Sequence, residues 1–365
     1  MTGTPERKGS QEGSPKPERR ATTTEDEPIE AEVREHEEIG DNDSALGDDA
    51  ASSTASMRSS ILQYRTENGR TYHSFRESIN YVLPNDSVSV NLVLHWEIAV
   101  DPCLDLQHHL FTLTLGGKLY LSPIGKDKPI RRCLDAGTGT GVWAIDFADE
   151  HPEAEVIGID LSPIQPTFLP ANLSFQVDDL EDEWTYSYKF DFIYCRMLVG
   201  SIGDWPKFFK QSFNNLNPGG WIECQDITFP AECDDDTLKK GSYIDQWSSL
   251  MIEATNVFGR GAQSAKHYKQ QMIDAGFVNV TEVIYRWPTN RWPADPYYKE
   301  LGFWCCHNIA GELSGLSMAL FTRALGWSSE EVEVFLTNVR TDMKDRRIHA
   351  WWPIHVVYGQ KPEEA

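Results

Sequence analysis

The sequence predicts an α/β fold, a seven-stranded, mostly parallel sheet with helices on both faces and a helical N-terminal cap. From residue 130 onward, short apolar runs typical of buried strands alternate with stretches of helical spacing. A turn with three glycines in five positions separates the first such run from an amphipathic one. The final two runs are placed to form an antiparallel pair at one sheet edge. We expect strands at residues 131–135, 155–160, 173–177, 190–195, 221–225, 278–285 and 352–358.

Composition narrows the classes of function. The 365 residues are 40% hydrophobic, which suffices for a large core, and their formal net charge is -23. A strong acidic balance argues against direct nucleic-acid binding and against anionic membrane surfaces. The first twenty residues lack the apolar core of a secretory signal, and no run resembles a membrane span. We therefore expect a cytoplasmic or nuclear protein with neither nucleic acid nor membrane as a direct partner.

Three regions are expected along the chain. Residues 1–56 form an acidic tail, because residues 25–49 hold twelve acids against one arginine and few large apolar side chains, so disorder is expected. Residues 57–129 mix aromatic and charged side chains at helix-compatible spacing and are interpreted as the cap. Residues 130–360 form the main domain. The basic clusters Arg7-Lys8 and 16–20 fit either a nuclear address or a solvated tail.

The seven cysteines show neither metal-ligand nor redox spacing. Cys133, Cys195 and Cys224 fall inside apolar runs, where cysteine behaves as a small buried hydrophobe. We expect reduced cysteines and no metal site.

The spacing within the glycine turn decides between ligands. A dinucleotide fingerprint needs a small residue where this chain has Val142, and no Gly-Lys-Ser or Gly-Lys-Thr occurs for a phosphate loop. What remains is acid-x-G-x-G-x-G, formed by Asp135, Gly137, Gly139 and Gly141. This pattern resembles the class I S-adenosylmethionine-dependent methyltransferases. A carboxylate beside the turn also suits a ligand that carries an ammonium group.

Acids after the next strands support the same resemblance. Asp160 ends the second predicted strand, where a carboxylate can accept hydrogen bonds from both ribose hydroxyls. In that family an acid after the third strand binds the adenine amino group, and Asp179, followed by Asp178, fits this position. Arg196 ends the fourth strand. The residues expected at the cofactor are Asp135, Gly137, Thr138, Gly139, Gly141, Asp160, Leu161, Asp178, Asp179, Leu180 and Arg196.

Flanking phrases are similar to a narrower family, the fungal LaeA-like methyltransferases, over residues 57–360. They include "ENGRTYHSF", "GTGVWAIDFADEHPEAEVIGIDLSPIQP", "GSIGDWP" and "LNPGGWIE". The resemblance implies a class I fold, S-adenosylmethionine as cofactor, and a substrate region inserted late in the sheet. It leaves two functions open. One is methylation of a small molecule of fungal secondary metabolism, and the other is nuclear regulation of that metabolism through velvet-type partner proteins.

Residues 87–103, "SVSVNLVLHWEIAVDPC", depart from the family pattern as an apolar insertion. Two explanations stay open: a genuine edge or interface segment, or a retained intron in the gene.

No catalytic base can be assigned from sequence, since methyl transfer chiefly needs alignment and exclusion of water. His73, His108 and His109 are candidates in the cap, with packing or surface roles as the alternative. Aromatic faces attract a sulfonium, so Tyr64, Tyr72 and Trp205 are candidate contacts, or core residues. The aromatic stretch 285–307 is interpreted either as an acceptor pocket or as a packed shelf. Its prominent members are Trp287, Trp292, Tyr297, Tyr298 and Trp304.

Overall fold

The computed structural model describes residues 28–32, 65–68, 70–72, 106–126 and 128–364. Ten strands lie in these ranges: β1 (Arg65–Glu67), β2 (Arg70–Tyr72), β3 (Arg132–Ala136), β4 (Glu155–Asp160), β5 (Leu173–Val177), β6 (Phe190–Arg196), β7 (Leu216–Ile227), β8 (Glu232–Cys233), β9 (Val278–Pro288) and β10 (Ala350–Gln360). The seven α-helices there are α1 (Leu106–Thr114), α2 (Val142–Glu150), α3 (Trp205–Asn215), α4 (Tyr243–Val257), α5 (Tyr268–Ala275), α6 (Pro296–Ala324) and α7 (Ser329–Lys344).

Seven long strands form the central sheet in the order β5-β4-β3-β6-β7-β10-β9. Strands β3 to β7 are mutually parallel, and β10 is antiparallel to both β7 and β9. The expected fold class is confirmed. All seven expected strands occur, and the short strand β8, which adds to the β7 side of β10, was not expected.

The order of the strands places a crevice at a definite point. The neighbours of β3 are β4, which follows it in sequence, and β6, so the chain leaves β3 in one direction and returns on the other side. In open α/β sheets, ligands bind at this switch point, outside the carboxyl ends of the strands. The ends of β3, β4 and β6 are therefore where a site should lie.

Apolar side chains of the parallel strands alternate between two core layers. In β3, Cys133 packs into the cluster around α2, whereas the next residue, Leu134, packs into the cluster around α3 and α5. The same alternation in β6 places Tyr194 on the α2 side and Cys195 on the other. Because helices cover both faces of the sheet, the sequences of these strands are continuous apolar runs, without alternation of apolar and polar residues.

A third core lies beyond the edge of the parallel strands. Helices α4, α6 and α7 pack together, with α4 inserted before β9 and the pair α6–α7 between β9 and β10. Helix α6 also packs against α1. Among the helices that the structure describes, none is long and apolar enough to cross a membrane.

The region expected to be a helical cap contains a β-hairpin as well as α1. Strands β1 and β2 pair through Glu67 and Arg70, which leaves a two-residue Asn-Gly loop, and Asn68 has φ 50°. An Asn-Gly pair between two strands is the strongest short hairpin signal in a sequence, so local turn chemistry overrides the helical spacing here. The hairpin is attached to α6 by the Arg323–Glu67 ion pair, at 2.6 Å.

Part of the acidic tail is ordered, contrary to expectation. Ala31 forms an antiparallel bridge with Pro293, the Glu32 amide donates to the Trp292 carbonyl at 3.0 Å, and Lys299 pairs with the Glu32 carboxylate at 2.8 Å. Backbone pairing and an ion pair thus hold a segment that has little apolar surface to bury. The other expectations for residues 1–56, and those for Tyr64, His73 and residues 87–103, concern positions outside the described ranges.

Candidate functional site

A cavity of about 340 Å³ lies at the carboxyl ends of β3, β4 and β6. Its floor is the glycine turn with Asp135, Thr138 and Asp160, and Arg196 stands at its side. Residues of α4 and α6 form the opposite wall. The glycine turn and the helices α4 and α6 therefore border one continuous space.

The three glycines of the turn have different tasks. All adopt positive φ, at 76° for Gly137, 56° for Gly139 and 84° for Gly141. A Cβ at Gly137 would lie 2.4 Å from Leu198, and one at Gly141 would lie 2.4 Å from Phe175. A Cβ at Gly139 would meet nothing within 4 Å. Gly137 and Gly141 thus permit close packing, Gly139 leaves the cavity open, and Gly141 borders neither of the two cavities described here.

Asp135 is a buried carboxylate at the end of β3. It is 3% exposed, and Thr138 Oγ1 donates to its Oδ2 at 2.5 Å. Burial raises the pKa of Asp135 to about 7, whereas the Thr138 hydrogen bond and the charge of Arg196 act in the opposite direction. A cationic ligand group beside Asp135 would favour its ionised form.

Asp160 orders the rim of the cavity. Its carboxylate accepts hydrogen bonds from the amides of Gly139, at 2.9 Å, and Ser162, at 3.0 Å. Burial raises the pKa of Asp160, and these backbone bonds oppose the shift. Each oxygen has a second lone pair, so the carboxylate can accept further donors while it holds the turn.

A second, smaller cavity of about 50 Å³ adjoins the first and shares Gly137, Asp160 and Leu198 with it. The other expected residues that line it are Leu161, Asp178, Asp179 and Leu180. The structure therefore distributes the expected residues over two adjoining cavities. Thr138, Gly139, Asp135 and Arg196 face the larger one.

The smaller cavity also has contributors from distant parts of the chain. Ser201 and Arg260 line it, and Arg260 pairs with Glu181 at 2.7 Å. Sequence reasoning missed both residues, since neither belongs to a strand-end motif. The hydroxyl of Ser201 is buried and has no hydrogen-bond partner in the described chain.

Arg196 is fixed by the cap helix. Its Nη1 lies 3.2 Å from Nδ1 of His108, and its guanidinium lies 5.0 Å from the centre of the Phe111 ring. His108 in turn lies 2.9 Å from Asp146 of α2 through Nε2. His108 is absent from the lining of the cavity, so the structure does not support the expectation that it is a base. It bridges α2 and β6 instead.

The remaining candidates from the sequence are packing residues. His109 meets Trp304 edge to face at 4.9 Å, and burial lowers its pKa. Trp205 packs on Tyr268, and Tyr72 is 2% exposed. The aromatic stretch 285–307 is a packed shelf rather than the pocket, because none of its five prominent members borders the cavity. Trp287 and Trp292, for example, donate to Thr114 and to the Ala350 carbonyl.

The wall opposite the glycine turn is the part that sequence reasoning did not locate. It contains apolar side chains together with the Arg70–Glu312 pair, whose Nη2 and Oε2 lie 3.3 Å apart. A Cβ at Gly315 would lie 2.9 Å from Arg70, so this glycine makes room for the guanidinium against α6. The apolar members are Trp247, Met251, Ile309, Leu316 and Leu320.

Comparisons with known proteins identify the family. A model of the methyltransferase domain matches residues 106–282. The probable methyltransferase tdiE of Emericella nidulans is 40% identical, over 71% of this chain and 81% of tdiE. The methyltransferase pytC of Aspergillus terreus is 37% identical, over 86% of this chain and 93% of pytC. The secondary metabolism regulator laeA of Aspergillus fumigatus is 32% identical, over 87% and 82%. The chain belongs to the LaeA-like methyltransferase family.

This LaeA-like protein is an S-adenosylmethionine-dependent methyltransferase. Its cavities fit the cofactor in two respects. Space is open beyond Gly139, where a backbone can approach a ligand closely. Tyr194 lines the larger cavity and Ser201 the smaller one, and the buried hydroxyl of neither residue has a hydrogen-bond partner in the described chain. Buried polar atoms of this kind normally bind a ligand or water.

The described residues include no group of three or more His, Cys, Asp or Glu side chains arranged to hold a metal ion. The cysteines expected to be buried, Cys133, Cys195 and Cys224, are buried and free.

Proposed function

We propose that the two adjoining cavities bind S-adenosylmethionine in one extended pose. The adenine would occupy the smaller cavity beside Asp178, Asp179 and Ser201. The observation that supports this assignment is Asp160, which borders both cavities and is the natural acceptor for the ribose hydroxyls between them. Leu161 and Leu180 would supply apolar contact with the base.

The amino-acid end of the cofactor would lie in the larger cavity. There, Asp135 would pair with the ammonium group and Arg196 with the carboxylate. Thr138 holds the Asp135 carboxylate in place, and the Tyr194 hydroxyl is a further donor at this end. Opposite charges on the two protein groups match opposite charges on the ligand, which fixes its orientation.

The bound sulfonium supplies an activated methyl group, and the chain's residues must align the acceptor with it and exclude water. We infer that the wall of α4 and α6 performs this task. Trp247, Met251 and Leu320 provide an apolar surface, and Glu312 is the carboxylate on that wall. Glu312 Oε1 is buried and has no hydrogen-bond partner in the described chain.

The composition of this wall favours a small, largely apolar acceptor that carries a hydroxyl or N–H group. Binding pockets of this type combine mostly apolar lining with a few convergent polar groups. The relatives pytC and tdiE, both named methyltransferases, favour the same class of activity. The proposed function is therefore methylation of a small molecule of fungal secondary metabolism.

A second candidate is regulation of secondary metabolism through velvet-type proteins in the nucleus. The similarity to the regulator laeA favours it. Affinity capture with tagged velvet-type proteins as bait tests this alternative. Co-purification in stoichiometric amounts would support it. Unchanged levels of secondary-metabolism transcripts in a strain that lacks the protein would count against it.

The proposed organisation keeps residues 57–129 as the cap and 130–360 as the methyltransferase domain, in a cytoplasmic or nuclear protein. The cofactor assignment is tested by calorimetric titration of the full chain with S-adenosylmethionine. Asp160→Asn should weaken binding at least tenfold, since it removes the charge that holds both the ribose and Gly139. Glu155→Gln, at the exposed start of the same strand, is the matched control and should bind like the wild type. Equal affinity of Asp160→Asn and wild type would refute the assignment.

A further inference from the structure

Helix α1 contributes two side chains to the environment of Arg196. His108 lies at hydrogen-bond distance from the guanidinium, and Phe111 packs against its face. His108 is 4% exposed and Phe111 is 1% exposed, so both contacts are shielded from water. Arg196 is thus held by the cap although it belongs to the sheet.

The direction of these hydrogen bonds follows from the chemistry of the groups. A guanidinium has donors only, so Nδ1 of His108 must accept from Arg196 Nη1. The ring proton then lies on Nε2 and is donated to the Asp146 carboxylate. The order is Asp146, His108, Arg196, with each group orienting the next.

Arg196 needs this support because no ion pair within the described residues includes it. Its guanidinium borders the larger cavity and is close enough to Asp135 to lower the pKa of that carboxyl. One of its five N–H donors is directed to His108, and a planar fork of donors matches a carboxylate. A long side chain without a counter-ion would otherwise sample several rotamers.

We propose that His108 is a positioning residue for cofactor binding, which holds Arg196 toward the carboxylate of S-adenosylmethionine, with Asp146 as its orienting partner. This inference rests on the proposed cofactor pose. It assigns the cap helix a part in the cofactor site. The contribution of His108 should be confined to ligands that carry the carboxylate.

The test compares two ligands and uses the full chain. S-adenosylhomocysteine carries the aminocarboxylate, and 5′-methylthioadenosine lacks it. By calorimetry, His108→Leu should weaken S-adenosylhomocysteine about tenfold, the scale of one charge-assisted hydrogen bond. The same variant should bind 5′-methylthioadenosine within twofold of wild type. His109→Leu, the neighbouring histidine that packs on Trp304, is the matched control and should change neither affinity.

Two further variants keep the test decisive if His108→Leu does not fold. In His108→Asn the amide oxygen can accept where Nδ1 does, so S-adenosylhomocysteine affinity should stay within about threefold of wild type. Asp146→Ala removes only the orienting partner and should cause a selective loss of two- to fivefold. Equal losses for both ligands, or unchanged affinity for S-adenosylhomocysteine in His108→Leu and Asp146→Ala, would overturn the inference. Failure of the wild type to bind either ligand would instead refute the proposed cofactor site itself.

Discussion

Single methyl groups added to the glycine turn should separate folding from binding. Gly139 and Gly137 both have positive φ, which costs an alanine about 1–2 kcal/mol. Beyond this shared strain their surroundings differ. A Cβ at Gly139 enters open space at the cavity, whereas a Cβ at Gly137 lies 2.4 Å from Leu198.

The magnitudes follow from these surroundings. Gly139→Ala should cost only the backbone strain, about 1–2 kcal/mol of unfolding free energy. In the proposed pose its methyl group occupies space that the cofactor needs, and overpacking of about 1–3 kcal/mol corresponds to a roughly 5- to 150-fold loss of affinity. Gly137→Ala adds a clash inside the protein, so its total stability loss should be about 2–5 kcal/mol.

Urea unfolding and calorimetric titration with S-adenosylhomocysteine measure the two effects. Gly326→Ala is the control, since Gly326 has φ 72°, open space around its Cβ, and a place between α6 and α7 away from both cavities. It should lose the same stability as Gly139→Ala and keep wild-type affinity. Wild-type affinity in Gly139→Ala would contradict the proposed position of the cofactor, and a stability loss in Gly137→Ala no larger than that of the control would contradict the clash with Leu198.

Four further outcomes are expected. Burial raises the pKa of Asp135 to about 7, and in the proposed pose its ionised form pairs with the ligand's ammonium group. The affinity for S-adenosylhomocysteine should therefore rise about tenfold from pH 6 to pH 8. In Asp135→Asn the affinity should not change with pH over this range. In the unliganded protein, the raised pKa of Asp135 makes its contribution to the free energy of unfolding fall as the pH rises from 4 to 7. Urea unfolding over this pH range should show a smaller decline of that free energy in Asp135→Asn than in the wild type. Glu223→Ala leaves the amides of Leu121 and Ser122 without their acceptor and should lower the free energy of unfolding by about 2–5 kcal/mol, whereas a loss under 1 kcal/mol would contradict the anchoring role. Glu312→Ala should keep S-adenosylhomocysteine affinity within twofold and abolish most methyl transfer to a small acceptor in a labelled-methyl assay; unchanged transfer would remove Glu312 from the acceptor site.

The parallel part of the sheet could be predicted from the sequence because each strand is a short apolar run bounded by a turn or an acid. The expected boundaries of β4 and β5 agree with the structure residue for residue. Strand β7 begins five residues earlier than expected, since Leu216 pairs with Phe190 before an irregularity in the ladder. Adjacent glycines such as Gly219 and Gly220 are typical of a turn, and tertiary pairing overrides that local signal.

The grouping of the strand-end acids at the proposed cofactor site could also be predicted, whereas the wall of the proposed acceptor site could not. Asp135 and Asp160 lie at strand ends, and parallel strands bring their carboxyl ends to one edge of the sheet. Trp247 and Glu312 lie 65 positions apart in the sequence, on two different helices, and nothing in the sequence around either distinguishes it from an ordinary helix residue. Only the packing of α4 on α6 brings them together. The hairpin at Asn68 could have been predicted as well, because an Asn-Gly pair in the sequence is a strong signal for a β-hairpin.

A crystal structure of the full chain with S-adenosylhomocysteine is the decisive test of the proposed cofactor pose. The proposed pose places the ribose hydroxyls within hydrogen-bond distance of Asp160, the adenine in the cavity of Asp179 and Ser201, and the carboxylate on Arg196. A ligand bound elsewhere, or in the reverse orientation with adenine near Arg196, would contradict it.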